Sequence, residues 1–221
     1  LTSRGLGDVY KRQLLRSLRY ENLLDDPLRI LRCFRFVSEL DFKIEPHILE
    51  FIELNKFRLK TVSVERIQYE LKRIVQGKEA LKTVESLNEI KIFDWIQSYE
   101  SNNSNHLSFI NFDNFLQDEI DQFFPIAYLK ELLKEPVLKR FKFSKSHILS
   151  INSLRKWSKK IKEKSIMHFT EIERFELHKD LEMILPAFII YLPEKFHKEW
   201  LKRWRNKKDK LFHPRNFING N

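Results

Sequence analysis

The chain has 221 residues, 42% of them hydrophobic and 13% aromatic, with 4 glycines, 7 prolines and one cysteine. This content supplies a core and excludes a disordered chain; scarce glycine argues against a loop-rich β protein or a Gly-rich nucleotide fold, and a lone cysteine excludes a disulfide framework or a Cys-rich zinc site. Lys and Arg outnumber Asp and Glu by 41 to 31, a net charge of +10 that points to a polyanionic partner.

Residues 1–13 are set aside. Asp8-Val9-Tyr10-Lys11-Arg12-Gln13 resembles the translation of a transposase adapter used in sequencing libraries, Leu1 to Gly7 reads as similar read-through, and residue 1 is not methionine. The coding sequence is therefore expected to be cut on its 5′ side.

From residue 14 onward the periodicity predicts an all-α fold, with Leu14 to Tyr20 the one stretch that suits an isolated strand. Asp25-Asp26-Pro27 opens a helix, and Arg29, Arg32 and Arg35 then recur at every third position. At about 100° per residue they fall at roughly 100°, 40° and 340° from Leu28, one drifting stripe that also holds Leu28 and Phe36. Ile30, Leu31, Cys33, Phe34 and Val37 fall on the opposite, core-facing side. Asp26 before Pro27 suits an N-cap as well as a functional carboxylate. The arginines suit a solvated face as well as stacking on a base or forked hydrogen bonding to phosphate.

Pro46 begins a further helix through Ile48, Leu49 and Ile52 to about Phe57. Ser63 is placed to cap the next one, with Glu65 in its first turn and Val64, Ile67, Leu71, Ile74 and Val75 repeating up to Gly77 at C′. Residues 78–98 read as one or two helices, and Ser101-Asn102-Asn103-Ser104-Asn105 as a loop, dividing the chain into 14–98 and a basic helical body, 99–221. In the body, Asp113, Asp118, Glu119 and Asp121 read as a solvated helix face. Short helices are expected to break at Pro125 and Pro136, a basic helix to cover about 144–164, and two more to be punctuated by Pro186 and Pro193. Lys156, Lys159, Lys160, Lys202, Arg203 and Lys207 are candidate contacts to a phosphate backbone. Trp200 and Trp204, an i,i+4 pair, are expected in the core. The histidines (His47, His106, His147, His168, His178, His197, His213) show no metal-ligand spacing. No apolar run approaches the ~18 residues of a membrane span, and no signal-peptide pattern is present, so a cytoplasmic setting is expected.

Tyr20-Glu21-Asn22-Leu23-Leu24-Asp25-Asp26-Pro27-Leu28-Arg29-Ile30-Leu31-Arg32-Cys33-Phe34-Arg35-Phe36, with Glu39-Leu40-Asp41-Phe42-Lys43-Ile44 after it, resembles the neck of the bacterial class II tRNA nucleotidyltransferase/poly(A) polymerase family. Val62-Ser63-Val64-Glu65-Arg66-Ile67-Gln68-Tyr69-Glu70-Leu71 is similar to that family's next neck motif, at the expected separation. The resemblance implies the all-α neck and body of a CCA-adding enzyme, with tRNA as partner and CTP and ATP as substrates. It implies that Asp26 and Arg29 read the base edge of the nucleotide. Arg32 and Arg35 would be further nucleotide contacts, holding the triphosphate or keeping the readers in register. Asp25, where many members carry Glu, and Glu65, Arg66 and Glu70 are expected to support these. The metal ions of the intact enzyme, Mg2+, would be held by carboxylates of a head domain that finds no match before residue 14. The chain by itself is therefore expected to be inactive. Asn219-Gly220-Asn221 resembles the start of the family's tail, so a cut on the 3′ side is expected too. Poly(A), CC-only and A-only synthesis stay open within the family; outside it, the alternative is a non-catalytic basic helical module that binds RNA.

Overall fold

A computed structural model describes residues 14–15, 20–98 and 111–213; the adapter-like segment, the 101–105 loop and the last residues lie outside them. Contacts divide the chain into two compact units. The first takes the described residues up to 98 together with 131–143, and the second takes 111–130 and 144–213. Residues 131–143, which the sequence division assigns to the body, thus group with the first unit.

The first unit holds helices α1 (Tyr20–Asp25), α2 (Leu28–Leu40), α3 (Pro46–Asn55), α4 (Val64–Val75) and α5 (Ala80–Glu89). Strands β1 (Leu14–Leu15) and β2 (Lys43–Ile44) form a parallel pair, with Leu14 opposite Lys43. The apolar side of α2 is the unit's centre: Ile30, Leu31, Cys33 and Phe34 are buried, and so are Ile67, Leu71 and Ile74 of α4. α2 ends at Asp41, whose left-handed conformation (φ 52°, ψ 37°) turns its N–H back to the Val37 carbonyl. α4 starts after Ser63 as expected, but the Ser63 side chain makes no capping bond.

α2 meets the end of α4 through Ser38. Its hydroxyl donates to the Ile74 carbonyl (2.5 Å), and its own carbonyl accepts from the Glu79 N–H (2.9 Å). Gly77 sits in this contact, and a Cβ there would lie 2.6 Å from the Ser38 carbonyl carbon and oxygen. No described glycine has positive φ, so Gly77 is needed for closeness and not for a left-handed turn.

α6 (Gln117–Leu132) is shared by both units, and α7 (Glu135–Arg140) follows in the first. Pro125 lies inside α6 and does not break it, contrary to expectation. An interior proline costs about 3 kcal/mol; burial of Phe123, Phe124, Ala127, Tyr128 and Leu129 around it opposes that cost. The second unit continues with α8 (Lys145–Glu163), α9 (Glu171–Leu181), α10 (Leu185–Ile189) and α11 (His197–Arg205). Ser144 caps α8, and Thr170 with Glu173 forms a reciprocal capping box on α9. Trp157, Leu177, Leu181, Phe188 and Leu201 fill the core.

The acidic stretch corrects another expectation. Asp113, Asp118 and Asp121 are exposed, but Glu119 is buried, and both its oxygens accept from Arg205 at 2.7 Å. Burial pushes this carboxyl upward, yet Arg205 and the Leu116 N–H outweigh it and hold it below the usual glutamate range. Among the described residues no helix is long and apolar enough to cross a membrane.

Candidate nucleotide and nucleic-acid interface

On a helix, side chains spaced three apart step back by about 60° each time. The arginine stripe of α2 therefore turns from solvent into the protein along its length. Arg29 is half-buried, Arg32 exposed, and Arg35 buried at 8% exposure. Arg29, Arg32, Cys33 and Phe36 line a hollow of about 260 Å³. Burial pushes the Cys33 thiol up to about 12, against the lowering effects of its backbone hydrogen bond and Arg32, so that part of the lining is uncharged. Neither the Arg29 nor the Arg32 guanidinium has a hydrogen-bond or ion-pair partner among the described residues. The hollow thus joins an aromatic ring and a neutral thiol to two available guanidinium forks, a lining suited to a flat base with an anion attached.

Arg35 differs from its two neighbours in the stripe. Its Nη1 donates to both oxygens of buried Glu70, at 3.0 and 3.2 Å, and its Nε lies 3.7 Å from Glu39. Of the two roles expected for it, holding the triphosphate or keeping the readers in register, its place in the packing of α2 on α4 suits the second. Glu39 in turn accepts from Arg73 at 2.7 Å. Glu39 was missed in the sequence reading, although its place four residues after Arg35 is the spacing at which helical charges meet.

Asp26 does not cap α2. Pro27 occupies the cap position in helical conformation with no side-chain bond. The Asp26 N–H reaches back to the Asn22 carbonyl (3.4 Å), so α1 runs almost directly into α2. Its carboxylate is left to accept from Arg66 Nη2 at 3.1 and 3.3 Å. The pairings 26–66, 35–70 and 39–73 rise together, so α2 and α4 run in the same sense. Glu65 departs from its expected bracing role: it accepts from Lys142 at 2.5 Å, and that bond holds its carboxyl low. Asp25 is exposed at the end of α1.

In the second unit, the six candidate RNA contacts separate into two groups. Lys156 pairs with Asp180 (2.8 Å), Lys160 with Glu173 (3.0 Å) and Arg203 with Asp209 (2.8 Å), and Arg203 also lies over the Phe212 ring. Lys159, Lys202 and Lys207 are exposed; Lys159 stands 3.8 Å from Glu163, and Lys207 rests 4.2 Å from the Trp204 ring centroid. Trp204 is buried and donates its indole N–H to the Glu182 carbonyl, and half-buried Trp200 packs against His178 and Phe212. No group of three His, Cys, Asp or Glu side chains gathers as a metal site among the described residues.

A family profile described as "Probable RNA and SrmB-binding site of polymerase A" matches residues 41–99. A CC-adding tRNA nucleotidyltransferase of Synechocystis is 26% identical over 249 aligned positions, covering 98% of this chain and 58% of that protein. A CCA-adding enzyme of Pediococcus pentosaceus is 33% identical over 98 positions, covering 43% of this chain and 24% of that protein. Among solved structures, the Thermotoga maritima CCA-adding enzyme complexed with tRNA superposes with a TM-score of 0.66 at 20% identity, over 95% of this chain and 54% of that one. A CCA-adding enzyme complexed with CTP gives 0.67 at 21% identity, over 95% and 53%. The chain therefore spans little more than half of the longest-matching relatives.

Proposed function

We propose that the chain is a member of the class II tRNA nucleotidyltransferase family, the family of the CCA-adding enzymes, and that it carries the nucleotide-selecting helix and part of the tRNA-binding surface of such an enzyme. The observation that carries this reading is the contrast along α2. Arg29 and Arg32 stand without partners at an open hollow, whereas Asp26 is held by Arg66 and Arg35 by Glu70.

Cytosine and adenine share an exocyclic amino donor beside a ring-nitrogen acceptor; uracil and guanine present the reverse order. Asp26 accepts from the amino group and Arg29 donates to the ring nitrogen, so the pair selects CTP and ATP and leaves UTP and GTP with donor facing donor and acceptor facing acceptor. Arg66 aims the Asp26 carboxylate. Arg32, exposed one turn on, meets the triphosphate. The Arg35–Glu70 pair fixes the register of α2, and Asp25 adds negative charge beside the reader. Lys159, Lys202 and Lys207 supply salt-dependent contacts to tRNA phosphates; Lys156, Lys160 and Arg203 hold the surface that presents them.

In this family, metal ions such as Mg2+ would activate the attacking tRNA hydroxyl. The described residues offer no carboxylate cluster to hold them, and no step here passes through them. On this reading the chain works in the cytoplasm, binds CTP or ATP and tRNA, and adds no nucleotide by itself. A second reading, a CC-only enzyme, is favoured by the Synechocystis relative, whose match spans nearly the whole chain.

The test is equilibrium competition of the four nucleoside triphosphates for the site that holds labelled CTP, with tRNA binding to the chain measured beside it. CTP, with or without ATP, should bind in preference to UTP and GTP, and Arg29→Ala should remove the preference while sparing tRNA affinity. Equal binding of all four, or an unchanged preference in the variant, refutes the base-reading role. CTP without ATP favours the CC-only reading.

A further inference from the structure

A second cavity, of about 310 Å³, lies in the second unit between α9, α11 and the segment after α11. Its aromatic lining is a cluster: ring centroids of His178 and Phe212 are 4.3 Å apart, those of Trp200 and Phe212 5.2 Å, and those of His178 and Trp200 5.4 Å. Arg174, Arg203 and Glu199 complete the polar part of the lining.

The polar groups here are unevenly satisfied. Arg203 is committed to Asp209, and one nitrogen of Arg174 donates to the Met167 carbonyl (3.2 Å). Glu199, in contrast, has no ion-pair or hydrogen-bond partner among the described residues, although two arginines line the same cavity. Trp157 and Trp204 each donate their indole N–H within the fold, to Asp180 and to the Glu182 carbonyl, but Trp200 has no such partner among the described residues. His178, 2% exposed, leaves its buried Nδ1 without a partner. Burial first, and then nearby Arg203, lowers its pKa to about 4, so it is neutral at physiological pH. The half-buried Trp200 ring backed by buried His178 and Phe212, the unpaired carboxylate of exposed Glu199 and the unpaired Trp200 indole donor together are the fittings of a site for a flat heterocycle with N–H groups on its edge.

We propose that this cavity takes an unpaired guanine of an RNA, with Glu199 accepting from its N1–H and N2–H and the Trp200 indole N–H donating to an acceptor of the same nucleotide. Guanine is the base whose pairing edge carries two adjacent N–H donors, which one carboxylate can accept together. Adenine and cytosine set a donor beside an acceptor, and uracil offers one N–H between two carbonyls. Arg174, with donors to spare, faces the attached phosphate. The proposal rests on the reading that the chain binds RNA, and it adds a base-specific contact far in sequence from Asp26 and Arg29.

The experiment is titration of the chain with GMP, IMP, AMP and CMP to about 10 mM, followed at the Trp200 indole N–H resonance so that only binding at this cavity is read, with tRNA binding measured in parallel. GMP should bind about tenfold or more tighter than AMP or CMP, and IMP, which lacks the N2 amino group, should fall between. Glu199→Gln, at an exposed position, should bring GMP down to the level of the others. Equal binding of the four, no GMP binding, or indifference to Glu199→Gln overturns the proposal. A chain that binds tRNA but fails these tests loses only the guanine site; one that passes them without binding tRNA refutes the RNA reading instead.

Discussion

Arg35 Nη1 lies 3.0 Å from Glu70 Oε2, and both side chains are more than nine-tenths buried. A buried charge that loses its partner is stranded in a medium that cannot solvate it, at a cost of roughly 3–5 kcal/mol. Arg35→Met or Glu70→Leu alone should therefore lower stability in urea unfolding by about that amount. The double variant should recover much of the loss, because an apolar pair strands nothing. If the losses simply add, the two residues are not coupled as described.

Gly77→Ala tests the contact between α2 and the end of α4. The added methyl group meets the Ser38 backbone, which cannot rotate away as a side chain could, so a loss of about 1–3 kcal/mol is expected. A glycine kept only for backbone freedom would tolerate alanine here, since φ is not positive. An unchanged urea midpoint would show that α2 can shift without cost.

His178 should shape the acid limb of stability. Its folded-state pKa, about 4, lies below its ordinary 6.5, so the unfolded chain takes up the proton first as pH falls. Stability contributed by the neutral ring is complete above pH 6.5 and declines toward pH 4, by about 3 kcal/mol at 1.36 kcal/mol per pKa unit. Of the groups facing it, Arg203, His213 and Arg174 act in the same direction, and Asp209 opposes them. His178→Phe should flatten unfolding free energy across that window, and an unchanged slope would count against the assignment.

Glu173 operates lower on the pH scale. Lys164, the Thr170 N–H and Lys160, in that order, hold its carboxyl at about 2, against an ordinary 4.5. Stability from this group is present above pH 4.5 and lost as pH falls toward 2. NMR titration should place Glu173 well below other glutamates, and Thr170→Ala, which removes the capping partner of the Glu173 N–H, should destabilise the chain by about 1 kcal/mol.

The basic residues of the second unit should separate by function. Lys202→Ala and Lys207→Ala are expected to weaken tRNA binding and lower its salt dependence, with little change in stability. Arg203→Ala should lower stability through loss of the Asp209 pair and the Phe212 stack. Equal effects of all three on folding would erase the distinction.

The inward face of α2 was legible in the sequence because apolar periodicity responds to burial, and burial dominates the energetics of a helix on a core. The same holds for α4, where Ile67, Leu71 and Ile74 fall inside as their spacing predicts. What was not legible depends on partners remote in sequence. By its own spacing Arg35 looks like Arg32 until Glu70 is brought to it, and Asp26 looks like a cap until Arg66 arrives; only the resemblance of the second motif pointed to Glu70 and Arg66 as supports. Glu119 shows the same effect, since nothing in its acidic neighbourhood announces Arg205. Pro125 failed as a breaker because local propensity yields when enough apolar surface is buried around it.

The drift of the arginine stripe makes α2 a rod clamped by Arg35 in the buried part of the stripe and open to solvent at Arg32. Because Arg35 is bolted to α4, the direction in which Arg29 points is fixed by the number of residues between them. One alanine inserted after Arg32 would swing the end that carries Asp26 and Arg29, the proposed base readers, about 100° around the helix axis while leaving every side chain chemically intact. Selectivity in such a device is partly a matter of angular phase, and a variant with an unaltered set of residues could still be blind to the base it is meant to read.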